Sequence, residues 1–208
     1  MFYPDLEAYL DEVAAETDLI DQDRQQTLDC LAKEIGKLAE SKRPIQLLFI
    51  CTHNSRRSHF GQIWAAVAAI SYGIGQTTTF SGGTEVTAFH ANAVAAIKRC
   101  GIGVNQTSTG DNPRYRLRLS EDHALPPIYS KRFDAADNPA GNYIAIFSCN
   151  HADKACPVVA GADFRLALPQ ADPKNADGSP TEMAAYDQCC RAIAREMMYT
   201  FDRARTAR

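Results

Sequence analysis

Apolar residues recur along this chain in two rhythms. Leu6, Tyr9, Leu10 and Val13, and then Leu28, Leu31, Ile35 and Leu38, fall three or four positions apart. That is the period of a helix with one buried face, so two amphipathic helices are predicted before Pro44 closes the second. The largely apolar run Ile45 to Ile50 breaks the rhythm and reads as a buried strand. Phe60, Ile63, Trp64 and Val67 then restore helical spacing. Tyr72-Gly73 and Gly75 mark a turn, Thr77 to Phe80 form a β-branched strand, and Ser81-Gly82-Gly83 turn away from it. Thr87 is predicted to cap a helix from Ala88 to Cys100, stopped by Gly101. Tyr143 to Ser148 and Phe164 to Leu168 supply two further strands, and a last helix runs from about Thr181 to Phe201.

Strands alternating with helices predict an α/β fold, a four-stranded parallel sheet with helices on both faces and right-handed crossovers. Residues 1–44 are predicted to form an N-terminal helical extension and residues 45–208 the main domain, interrupted by an insert near 109–142. Within the insert, alternating Tyr115, Leu117 and Leu119 between Asn112-Pro113 and Pro126-Pro127 suggest a hairpin-like excursion. Its bases Arg114, Arg116, Arg118, Lys131 and Arg132 read as a solvated face, or alternatively as a lid over an anion. The N-terminal helices are expected to cover the core; the other use of their face is a homodimer contact.

In a sheet of this kind chemistry gathers at the C-terminal ends of the strands, where Cys51, Ser81, Cys149 and Asp172 all fall. The most informative of these ends is Cys51-Thr52-His53-Asn54-Ser55-Arg56-Arg57-Ser58, a loop between the first strand and a helix. Five residues between cysteine and arginine let the loop curl until its backbone N–H groups converge at the helix N-terminus, a geometry suited to a tetrahedral oxyanion. Arg57 adds a planar two-pronged contact, and the surrounding positive charge favours a Cys51 thiolate.

These residues resemble the low-molecular-weight tyrosine phosphatase family, and specifically its thioredoxin-coupled arsenate reductase branch. The matching motifs are Cys51 to Ser58, Ser81-Gly82-Gly83-Thr84, Asp172-Pro173, and Cys149-x6-Cys156-Pro157. The likeness spans roughly residues 45–108 and 143–204. It implies a flavodoxin-like fold in which Cys51 attacks a bound oxyanion, Arg57 and the loop amides stabilise developing charge, and Asp172 protonates the departing oxygen. Asn54, Ser58 and Ser81 support the loop. For arsenate the resemblance further implies a relay, Cys51 to Cys149 to Cys156, reduced by thioredoxin. For phosphotyrosine it implies hydrolysis of a phosphocysteine. A phosphate or redox sensor without turnover is the non-enzymatic alternative. Departures matter as well: the family places glycine where His53 stands and an apolar residue or cysteine where Arg56 stands. Lys174 and Asn175 also follow Asp172-Pro173 where phosphatases carry an aromatic residue.

Composition narrows the setting. The 208 residues, 45% of them hydrophobic, suffice for one substantial core. The net charge of −3 is concentrated in the acidic first 44 residues, and no dense basic stripe marks a nucleic-acid binder. No apolar run approaches the roughly 18 residues of a membrane span, and Asp5, Glu7, Asp11 and Glu12 are unlike a signal peptide, so a cytoplasmic location is expected. Seven cysteines in that setting point to free or redox-active thiols. Cys30, Cys100, Cys189 and Cys190 read as packing residues. No bound cofactor is expected, and Cys149, His151 and Cys156 fit no common zinc spacing.

Overall fold

A computed structural model describes residues 1–155 and 159–206. Its centre is a parallel sheet of four strands, β1 (Ile45–Cys51), β2 (Thr77–Gly83), β5 (Tyr143–Phe147) and β6 (Ala162–Ala167), in the order β2-β1-β5-β6. Strand β1 holds the middle of the sheet because both its faces are apolar: Ile45, Leu47 and Phe49 point one way, Leu48 and Ile50 the other. The first face carries the larger core. It is covered by α1 (Pro4–Ala14), α2 (Gln22–Glu40), α3 (Arg57–Ser71), α4 (Ala91–Arg99) and α6 (Glu182–Thr206). The second face is covered by the short α5 (Asn150–Ala155), Val159 and Phe133 of the insert, so the helices flank both faces unequally.

The N-terminal helices pack inward. Leu6, Val13, Leu28, Leu31 and Ile35 are fully buried in the main core, so the apolar face considered for a dimer is occupied within the chain. Asp21 caps α2 by accepting from the Arg24 N–H at 2.9 Å. Two short 3-10 turns, Thr17–Leu19 and Pro173–Ala176, complete the element order. Among the described residues no helix is long and apolar enough to cross a membrane.

Several boundaries differ from the sequence reading, each for a local reason. The helix expected from Ala88 begins at Ala91 with His90 as its cap, because Thr87 is drawn into the Cys51 loop, its hydroxyl donating to His53 O at 3.0 Å. The fourth strand starts earlier, at Ala162, and the last helix runs on to Thr206. The hairpin near the insert is β4 (Tyr115–Arg118) paired antiparallel with β3 (Gly103–Gln106), a strand before the insert that carries no apolar alternation to reveal it. Cys30 is exposed, not packed.

Candidate active site

Strand β1 ends at Cys51, and α3 starts at Arg57; the intervening loop is gripped from several sides. Cys51 Sγ lies 3.0 Å from Ser58 Oγ, and Asn54 Nδ2 donates to that same oxygen at 2.9 Å, leaving the Ser58 hydroxyl hydrogen for the sulfur. Asn54 adopts the left-handed conformation (φ 44°), which asparagine tolerates better than most residues. Its Oδ1 accepts from the Lys131 backbone N–H at 2.8 Å. His53 has no positive φ, so its side chain meets no backbone objection where the resembled family uses glycine. Its imidazole instead faces outward, Nε2 being 3.5 Å from Glu85 Oε2. Gly83 is required beside the loop: a Cβ there would stand 2.7 Å from both Asn54 N and Thr52 O.

The loop's own donors are left over. Among the described residues, no backbone N–H from His53 to Ser58 finds an acceptor, although Asn54 and Ser58 are fully buried and Ser55 and Arg56 nearly so. Six successive donors without acceptors at a helix N-terminus constitute an anion-binding nest. Unsatisfied buried donors are costly, and an oxyanion relieves that cost.

Asp172 comes from the loop after β6 and meets two guanidiniums. Arg57 Nη2 contacts its Oδ2 at 2.5 Å, and Arg56 Nε lies 3.2 Å from its Oδ1. Arg57 Nη1 also donates to Gln170 O at 2.9 Å. Gln170 is fixed in turn: its N–H donates to Ser148 O at 3.1 Å, and its amide donates to Glu196 at 2.6 Å. Glu196 is paired with Arg24 of α2 by two 2.8 Å bonds. A polar chain thus runs from the N-terminal helices through α6 to Arg57.

Cys149 lies two residues beyond the end of β5, beside Thr52 of the loop. Its Sγ is 3.5 Å from Thr52 Oγ1 and accepts weakly from the Ala152 N–H at 3.4 Å. It shares a small apolar cluster with Cys51. His151, at 3.4 Å from Thr52 Oγ1, is exposed. Cys156 and Pro157 lie outside the described residues. Among those residues no cluster of three or more His, Cys, Asp or Glu side chains is arranged to hold a metal ion.

Comparison with known proteins locates this arrangement. No protein-family model and no curated protein sequence matches the chain. Solved structures do. A mutant of YwlE from Bacillus subtilis superposes with a TM-score of 0.52 at 13% identity, over 76% of this chain and 97% of the other. A low-molecular-weight protein tyrosine phosphatase from T. tengcongensis gives 0.51 at 15%, over 76% and 98%. A low-molecular-weight phosphotyrosine phosphatase from Vibrio cholerae O395 gives 0.50 at 14%, over 76% and 95%. The chain has the low-molecular-weight protein tyrosine phosphatase fold.

Around the loop the structure shows contacts that the sequence did not disclose. The insert is tied to the loop and to β2: Ser130 Oγ donates to His53 O at 3.0 Å, Gly83 and the insert exchange Gly83 N–H to Lys131 O and Phe133 N–H to Gly83 O, each at 2.9 Å, and Asn138 Nδ2 donates to Ser81 O at 3.2 Å. Lys131, expected on a solvated face, is buried; burial above all pushes its ammonium down to about 8. Ser81 does not face the anion nest but the imidazole of His59, with Oγ 3.1 Å from Nδ1. His59 is fully buried against Phe89, and burial, followed by the charge of Lys131, pushes it down to about 3. It is a neutral prop under the loop. Only its adjacency to Ser58 in sequence hinted at such a place.

A cleft of about 570 Å³ opens beside the nest, with Ser55, Arg56, Phe89, His90, Tyr115 and Asp177 among its walls. His90 stacks on Tyr186, the ring centres 5.2 Å apart, and Tyr186 donates to Asp177 at 2.9 Å.

Proposed function

We propose that this chain is a cysteine-based oxyanion enzyme, and specifically an arsenate reductase working through Cys51, Cys149 and Cys156. The observation that carries the reading is the buried nest of unpartnered N–H groups closed around a Cys51 sulfur that has Ser58 for a donor. An oxyanion seated there presents its central atom to Cys51. Arg57, released in part from Gln170 or Asp172, meets the equatorial oxygens as charge builds on them. Asp172, within reach of both guanidiniums, is the group placed to hand a proton to the leaving oxygen.

With arsenate, attack by the Cys51 thiolate forms an S–As bond and expels one oxygen as water. Cys149 then attacks Cys51 Sγ; the S–As electron pair leaves with arsenic as arsenite, and a Cys51–Cys149 disulfide remains. Arsenic is reduced by two electrons and two sulfurs are oxidised. Cys156 attacks Cys149, frees Cys51, and the Cys149–Cys156 disulfide is reduced by a dithiol protein such as thioredoxin. The contact of Cys149 with the loop residue next to Cys51 supports this order. The cytoplasm, which keeps such thiols reduced, is the fitting compartment.

The wide cleft beside the nest favours a second reading, hydrolysis of an organic phosphoester, since inorganic arsenate needs no such space. Multiple-turnover assays with arsenate plus thioredoxin and thioredoxin reductase, beside an aryl phosphate, separate the two. Thioredoxin-dependent arsenite formation supports the reductase. Aryl phosphate turnover with no arsenite replaces it by the phosphatase, and the absence of both overturns the enzymatic reading.

A further inference from the structure

A second pair of thiols lies away from the oxyanion loop. Cys100 closes the C-terminus of α4, and Cys190 lies on the buried side of α6; their sulfurs are 3.8 Å apart. Cys190 is fully enclosed and receives the Trp64 indole N–H at 3.2 Å. Cys100 instead borders a surface cleft of about 260 Å³ shared with Tyr9, Arg99, Asp187, Gln188 and Arg191. Tyr9 of the N-terminal extension forms one wall, stacked on Trp64 and covered by the Arg191 guanidinium, which Glu16 anchors at 2.7 Å. Cys100, 5% exposed, is the thiol nearer that cleft, and Cys190, fully enclosed, lies behind it, an order that suits an attacking and a resolving thiol.

We propose that Cys100 and Cys190 form an oxidisable dithiol, a modification site for hydroperoxides that links α4 to α6. The Cys100 thiolate attacks one peroxide oxygen, breaking the O–O bond and giving a sulfenic acid and hydroxide. Cys190, losing its proton to that hydroxide, attacks the sulfenic sulfur; the S–S bond forms and the second oxygen leaves as hydroxide, which takes up a proton to become water. In sum two thiols and one hydrogen peroxide give one disulfide and two waters. The two sulfurs need to close from 3.8 Å to about 2.05 Å, a side-chain rotation in scale. The electrostatics agree with the geometry: hydrogen bonding from Cys190 draws the Cys100 thiol down against the opposing effect of burial, with a smaller contribution from the Tyr9 hydroxyl, whereas burial pushes Cys190 up. An external dithiol reverses the reaction.

The test uses the full chain, folded, treated with hydrogen peroxide, then denatured with an alkylating agent and mapped by mass spectrometry. The expected product is a peptide containing Cys100 joined to the one containing Cys190, absent after dithiothreitol. The link persists in Cys189→Ser, which assigns it to Cys190, and disappears in Cys100→Ser and Cys190→Ser. It also persists in Cys51→Ser, so it is separable from the relay proposed above and stands even if that relay fails. Complete alkylation of both Cys100 and Cys190 after peroxide, or conversion of Cys100 to a sulfinic acid with Cys190 still free, overturns the proposal. Melting curves of each variant confirm that the thiols were probed in folded protein.

Discussion

The two sides of the Cys51 loop are built differently. On the insert side Asn54 is fastened at both ends of its amide, His53 O accepts from Ser130 and Thr87, and His59 and Ser81 sit beneath. On the other side, among the described residues, Cys149 is buried in a small apolar cluster and its Sγ has just two weak polar contacts, 3.5 Å to Thr52 Oγ1 and 3.4 Å from the Ala152 N–H, before a helix six residues long. On the reading proposed above, the difference matches two tasks. Binding a tetrahedral anion requires donors fixed before it arrives, whereas passing oxidation from one sulfur to another requires a sulfur that moves.

Breaking the fixed side should be costly. Arg57→Ala is expected to lower kcat/KM for any oxyanion substrate by about 10²–10³-fold, as removal of a developing-charge partner does; a loss under threefold in steady-state assays contradicts the role given to Arg57. Asn54→Ala should come next, with unfolding free energy reduced by about 1–3 kcal/mol, because Ser58 Oγ and the Lys131 N–H each lose a buried partner. Denaturant midpoints measure it, and an unchanged midpoint means that the loop does not depend on this amide.

Acid should weaken the same side through His59. Its folded value of about 3 lies below the usual 6.5, so between these pH values the unfolded chain binds a proton that the native chain refuses. The contribution is complete above about pH 6.5 and declines as pH falls toward 3, by up to about 1.4 kcal/mol per pH unit. Urea midpoints of wild type and His59→Gln, followed downward from pH 7, should show a shallower fall for the variant. Parallel curves place the acid sensitivity elsewhere.

The smallest of these effects concerns the polar chain from α2. Arg24→Ala removes the partner of a nearly buried Glu196 and loosens Gln170, whose carbonyl holds Arg57. A three- to tenfold fall in kcat with KM nearly unchanged is expected, restored in part by Arg24→Lys. An effect on stability alone, with kcat untouched, removes the N-terminal extension from the account of the site.

What was legible beforehand follows the same division between local and distant causes. The strand from Ile45, the cysteine-to-arginine loop and the helix after it are encoded in one unbroken stretch, residues 45–71, and their order in space repeats their order in sequence. The alternating Tyr115, Leu117 and Leu119 betrayed a strand in the same way, with Leu117 and Leu119 fully buried. Contacts between remote segments were not legible. Arg24 and Glu196 are 172 residues apart, and Lys131 reaches Asn54 across 77 through its backbone, which no side-chain pattern reports. Cys30 looked like core by residue type, but its position on α2 is outward. The roles of the site residues come from the resemblance and from chemistry; the geometry shows which of them lie within reach of one another.

The contrast between a fixed nest and a movable sulfur is tested most directly in Cys156→Ser protein given one equivalent of arsenate without reductant. One arsenite per chain, with Cys51 linked to Cys149 in the peptide map, is the predicted result. Arsenite formed while Cys149 remains fully alkylatable, or a link that leaves Cys51 free, contradicts it.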